Sequence, residues 1–202
     1  MYAILKKCIY IYSIIFYKII KKVTVGKNAT FWGKVHIKNG EYIRIGENTS
    51  VGYKSWLAVF PEYNGYKCPV SNKQYGIYIG DRVKITQRLK IYCADSVYID
   101  DDALIASDVF IADYNHGMNA TEDYSFQPLK TESVYIGKGT WIGEKVCILP
   151  GVHIGEKSII AAGSIVTHDV PDYVIAAGNP AKIIKKWDWE NNEWIKVEVD
   201  EK

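Results

Sequence analysis

His116 stands in the string Asp113-Tyr114-Asn115-His116-Gly117, which closes an aliphatic stretch ending at Ile111. An imidazole with its ordinary pKa of about 6.5 can take a proton from an alcohol or amine and pass it to a leaving group. Asp113 and Asn115 are the adjacent polar groups, suited to orienting that ring or binding an acceptor. Such a string is also compatible with a plain polar turn. The other histidines offer less: His36 and His153 fall in outward positions of the repeat described next, and His168 at a terminal corner, all reading as solvated surface. Three converging histidines would be needed for a zinc site of the carbonic-anhydrase kind, and these four are spread without a close pair. Cys8, Cys68, Cys93 and Cys147 contain no CxxC pair and read as free thiols in a reducing compartment. No metal is expected.

What must position His116 is a repeat. An aliphatic residue returns every sixth position at Ile136, Ile142, Ile148, Ile154, Ile160 and Val166, often followed by a small residue such as Gly137, Gly143, Gly155 or Ala161. Earlier registers are Val25, Phe31, Ile37 and Ile43; Ile45, Val51 and Leu57; Ile79, Ile85, Ile91 and Val97; and Ile99, Ile105 and Ile111. Neither a helix nor an alternating strand has this period. It fits one short strand and one turn per six residues, stacked into a solenoid, with the small residue letting the backbone bend at each corner. A sandwich of short strands would not explain the phase. Two-residue slips near Ile43 and Val97, and long breaks over 58–78 and 114–135, read as loops leaving the coil. His116 thus falls where the coil ends and the second loop begins, able to reach a cleft.

The 202 residues suit one domain with short ends, and the net charge of +2 argues against a nucleic-acid surface. Residues 1–22 are rich in Ile and Tyr, with an apolar run from Cys8 to Tyr17 between Lys6, Lys7 and Lys18. The run is short of the roughly 20 residues that span a bilayer, and no small-residue cleavage site follows. The segment suits two roles that are compatible: capping the solenoid's open end, or lying as a helix on a membrane surface. The coil domain is expected over 23–186. The tail over 187–202, with three tryptophans and many charges, reads as a cap on the other end.

The most specific signature is C-terminal: Ile160-Ala161-Ala162-Gly163-Ser164-Ile165-Val166-Thr167-His168-Asp169-Val170-Pro171, followed by Gly178-Asn179-Pro180-Ala181-Lys182. With the hexads it resembles the hexapeptide-repeat acyltransferases, a family that includes maltose, galactoside and xenobiotic acetyltransferases, over about Val25 to Lys186. The string from Ile111 to Gly117 is most similar to the branch that acetylates cell-surface polysaccharide sugars. The resemblance implies a mainly β fold, a left-handed parallel β-helix of triangular section, an exception to the usual right-handed crossover. It also implies trimers with sites in clefts between subunits, acetyl-CoA as donor, and His116 as the base that activates the acceptor for direct attack on the thioester.

By the same resemblance, Trp141 and Gly143 match positions beside the thioester, and Ala161, Ala162 and Thr167 positions along the pantetheine arm and near the adenine. Lys182 and Lys185 match basic positions that meet the nucleotide phosphates; many relatives have Arg at Lys182, whose bidentate fork Lys lacks. An amide near Gly143–Glu144 is a candidate donor to the developing oxyanion. Trp141 equally suits a subunit interface. The aromatics of Phe60–Lys67 and Tyr124–Phe126 suit either sugar stacking or a trimer seam. The expected activity is O-acetylation of a saccharide hydroxyl in the cytoplasm, at or near the inner membrane face; N-acetylation of an amino sugar is the nearest alternative, and a metal-dependent carbonic-anhydrase-like protein and a non-catalytic solenoid are the others.

Overall fold

A computed structural model describes residues 14–197. The expectations for residues 1–13, Cys8 among them, and for 198–202 lie outside the described residues. The chain is mainly β and visits three parallel sheets in rotation. The first holds Thr24–Val25, Ile43–Ile45, Ile77–Ile79, Val97–Ile99, Val134–Ile136 and His153–Ile154. The second takes Thr30–Trp32, Ser50–Gly52, Lys84–Ile85, Leu104–Ile105, Trp141–Ile142 and Ile159–Ile160, and the third His36–Lys38, Trp56–Val59, Lys90–Cys93, Phe110–Ala112, Cys147–Ile148 and Ile165–Val166. Register is set by the sixth-position residues: Val25, Ile45, Ile79, Ile99, Ile136 and Ile154 pair in one column. From Ile45 onward each is almost wholly buried. Burying each isoleucine stabilises the fold by about 1.5–3 kcal/mol relative to leaving it exposed.

Two of the three corners are nearly identical tight turns. Three residues after the inward aliphatic, the corner from first to second sheet places Asn48, Arg82, Asp102, Gly139 and Lys157 at φ of 55°, 57°, 62°, 64° and 55°. The corner from second to third does the same with Lys54, Arg88, Asp108, Lys145 and Gly163. One position further on, buried hydroxyls satisfy corner carbonyls: Thr49 Oγ1 donates to Gly80 O at 2.7 Å, and Ser158 Oγ to Pro171 O at 2.6 Å. The small residue directly after the aliphatic has a different role from the one expected. It is not the bending point; it lies where the next coil passes. A Cβ at Gly137 would stand 2.7 Å from Glu156 N, and one at Gly143 2.6 Å from Ala162 N.

The third edge, from third sheet back to first, is irregular everywhere except at the turn from Ile148 to Ile154, which keeps the six-residue step with Gly151 at positive φ. It carries a 3-10 turn at Gly40–Tyr42, the connection between Val59 and Ile77, the slip before Val97, and the connection between Ala112 and Val134. Within the first excursion, Glu62–Tyr63 and Tyr66–Lys67 form a hairpin turning at Asn64 and Gly65, both at positive φ. That pair is the standard signal for such a turn. Before the first coil, a short helix at Phe16–Ile20 packs Tyr17 on Phe31 at 4.0 Å between ring centroids, and the Tyr17 hydroxyl accepts from Val35 N at 2.8 Å. At the far end Val174–Gly178 joins the second sheet, then Ala181–Asp188 and Glu193–Lys196 add antiparallel strands. The boundary expected at 186/187 therefore falls inside a strand, because Trp187 pairs opposite Trp194.

Candidate active site

His116 and Asn115 are exposed at the third edge, just past Phe110–Ala112. The backbone there is held by an antiparallel pairing of Tyr114 with Thr131 and Asn115 with Lys130. The His116 ring lies edge-on to Tyr63 at 5.3 Å and 65°. Tyr63 in turn donates its hydroxyl to Ser125 O at 2.9 Å, and the Asn64 side-chain amide donates to the same carbonyl. The two excursions are therefore clasped to one another above the histidine. Gln127, buried, accepts from Asn119 N and donates to Asn119 O and Glu122 O, fixing the second excursion from within. Gly117 must be glycine here, since a Cβ would meet Gln127 Cβ at 2.6 Å.

Asp113 takes a different place from the one its position beside His116 implied. Its carboxylate is fully buried and accepts from Ala94 N at 2.7 Å and Asp95 N at 2.9 Å, closing the preceding coil's slip. An acceptor would not reach it. Burial pushes its carboxyl above the usual range, against the pull of those two amides. The phenol of Tyr114 is likewise pushed up, to about 12, by burial and then by the Asp113 charge, so it stays protonated. Phe60, from the first excursion, packs on Tyr114 at 5.8 Å. Tyr124 and Phe126 project into solvent from the second.

The remaining candidates gather elsewhere. Thr86, Ala106, Gly143, Ala161 and Ala177 follow residues in register on the second sheet, making a column of small side chains on the corner toward the third sheet. Glu144 and Ala162 are exposed next to it. Trp141, half exposed, lies on the outer side of the second sheet between Leu104 and Ile159. Lys182 stands opposite Ala177 at the column's end, and Lys185 opposite Ile175. Thr167 does not join them: it follows Ile165–Val166 onto the third edge, with its hydroxyl 2.7 Å from His168 Nδ1. The Gly143 amide is spent on Ile160 O at 2.8 Å, within the ladder between coils, and so is not free for an oxyanion.

Within one chain, then, His116 and the small-residue column occupy different edges. Sequence reasoning missed the pairing of Tyr63 with His116 and the anchoring role of Gln127. The Asn64-Gly65 dipeptide signals the hairpin that carries Tyr63, but nothing in the residue pattern marks that ring's pairing with His116 or the role of Gln127. Among the described residues, no group of three His, Cys, Asp or Glu side chains is placed to hold a metal ion, and no helix is long and apolar enough to cross a membrane.

Comparison with known proteins gives this geometry its context. Residues 133–168 match the family model described as bacterial transferase hexapeptide (six repeats). A protein of Escherichia coli K12 named for an O-acetyl transferase role in lipopolysaccharide biosynthesis, WbbJ, is 35% identical over 170 residues, which is 80% of this chain and 81% of that one. A solved galactoside acetyltransferase in complex with coenzyme A superposes with a TM-score of 0.55 at 32% identity, covering 75% of this chain and 73% of its own. A serine-to-alanine mutant of AntD, an N-acyltransferase from Bacillus cereus in complex with dTDP-4-amino-4,6-dideoxyglucose and coenzyme A, superposes with a TM-score of 0.65 at 25% identity, over 85% and 89% of the two chains. The chain belongs to the hexapeptide-repeat acyltransferases.

Proposed function

We propose that this protein transfers the acetyl group of acetyl-CoA to a saccharide hydroxyl, with His116 as general base. The observation that carries the reading is the exposed His116 ring held against Tyr63 beneath two mutually hydrogen-bonded excursions. The imidazole takes the proton of the acceptor hydroxyl while its oxygen attacks the thioester carbonyl; the new C–O bond forms, the C–S bond breaks, and the proton passes to the departing thiolate. The relatives named for O-acetyl transfer support this choice of acceptor. On the donor side, Gly143 and Ala161 leave room for a pantetheine arm, Trp141 offers a flat apolar wall, and Lys182 and Lys185 offer cations for phosphates.

The parallel ladders and the family support a left-handed, three-sided β-helix. Because base and small-residue column lie on different edges of one chain, a neighbouring copy must supply one of them. A homotrimer with shared clefts satisfies that need. The test is thiol release and product mass with acetyl-CoA and a panel of sugars: the wild type should acetylate hydroxyl acceptors, and His116→Ala should lose about 100-fold or more of turnover while remaining folded and able to bind CoA. Unchanged turnover in that variant would reject the mechanism. A second reading, acylation of an amino sugar, is favoured by the AntD superposition; acetylation of 4-amino sugars alone in the same panel would select it.

A further inference from the structure

We infer that the first coil and the helix before it form a docking surface for an anionic phospholipid bilayer. Tyr17 fastens this helix inward, which leaves Ile15, Ile19 and Ile20 turned outward at 50%, 67% and 64% exposure. Lys18 and Lys22 are exposed beside them, and Trp32, also exposed, stands on the same first coil. Apolar residues interleaved with lysines, with a tryptophan at the same level, match the headgroup region of a bilayer.

A second observation comes from the body of the coil. Between helix and first coil lies a cleft of about 530 Å³, walled by Tyr17, Phe31, Val35 and Trp56 and bordered by Lys21, Lys34 and Lys38. Residues 14–40 contain six lysines and no Asp or Glu, whereas the whole chain has a net charge of only +2. The rest of the molecule is therefore net acidic, and its positive field is concentrated at this end, so a negatively charged surface would orient it end-on. In the docked arrangement His116, on the fourth coil, stands roughly 15 Å along the axis from the first, at about 4.8 Å per strand.

The test is co-sedimentation of the full chain with vesicles of phosphatidylcholine alone, or with one third phosphatidylglycerol, at low and high salt. Binding should require phosphatidylglycerol and weaken with salt. Ile19→Glu with Ile20→Glu should weaken it by about tenfold or more, and Lys18→Glu with Lys34→Glu by about fivefold per lysine or more. Acetylation of soluble sugars should be unchanged in both pairs, which separates this inference from the transfer chemistry. Equal binding to both vesicle types, binding to neither, or binding undiminished by the lysine pair would overturn it. Should the isoleucine pair fail to fold, the lysine pair decides.

Discussion

The two tight corners and the third edge of this coil are made from the same chain by opposite rules. At the tight corners, from the second coil on, each turn repeats the last one, down to a left-handed residue three places after the inward aliphatic. At the third edge the turns before Ile148 all differ, and the slips and excursions of the described residues collect there. The difference teaches that the hexad is a constraint on two corners and a permission at the remaining one. Where the next coil passes within van der Waals range, as above Gly143, only small side chains stand. Where the chain leaves the stack, it can bring up Tyr63, Asn115, His116 and Ser125.

His116→Ala attacks the permissive edge alone. It should cost about 100-fold or more in turnover, with an unshifted melting temperature; a matching loss of stability would mean that the edge is structural after all. Gly143→Val attacks a constrained corner. Its β-carbon meets the backbone of the next coil, so a cost of about 1–3 kcal/mol is expected from overpacking, read as a lower urea midpoint. Tyr63→Ala should lower turnover by about tenfold by releasing the ring contact and Tyr63's share of the clasp, leaving only the Asn64 bond to Ser125 O. Tyr63→Phe keeps the ring and gives up only the bond to Ser125 O, worth about 0.5–1.5 kcal/mol; if both variants behave alike, the hydroxyl and not the ring positions His116. The smallest effect belongs to the corner ion pairs. The Arg82 and Arg88 guanidiniums hold the carboxyls of Asp102 and Asp108 below the usual carboxylate range. Because those folded-state values are depressed, their contribution is in place above the ordinary carboxylate pKa and is lost as pH falls through the lowered values. Asp108→Asn should slightly flatten the acid limb of a stability–pH curve, and leave the neutral plateau almost unmoved.

The same contrast explains what the residues alone disclosed. The inward column was legible because a stacked core reuses one position per strand, so Ile99 and Ile136 announce each other at a distance. Breaks in phase located the third edge: the slips at Ile43 and Val97 and the two long stretches all proved to share it. The reason for Gly143 was not legible, since a glycine required by a close neighbour and one required by its own torsion look alike in sequence. Asp113 misled for a related reason. Its neighbour His116 faces solvent, but the carboxylate turns inward to the amides of Ala94 and Asp95, whose proximity depends on stacking. Tyr63 and Ser125 are 62 residues apart, and no local pattern links them. The closing strand was mis-bounded because Trp187 looked like the start of a tail rather than half of a cross-strand pair.

That clasp has a consequence for how relatives diverge. Loop length at a free edge is cheap to change, since closure entropy grows only slowly with added residues. Yet the hairpin tip and the carbonyl it grips can only be exchanged together, as a lock changed with its key. Chimeras that transplant both excursions at once should carry a donor's acceptor preference with them; those that move a single one should lose it without inheriting another.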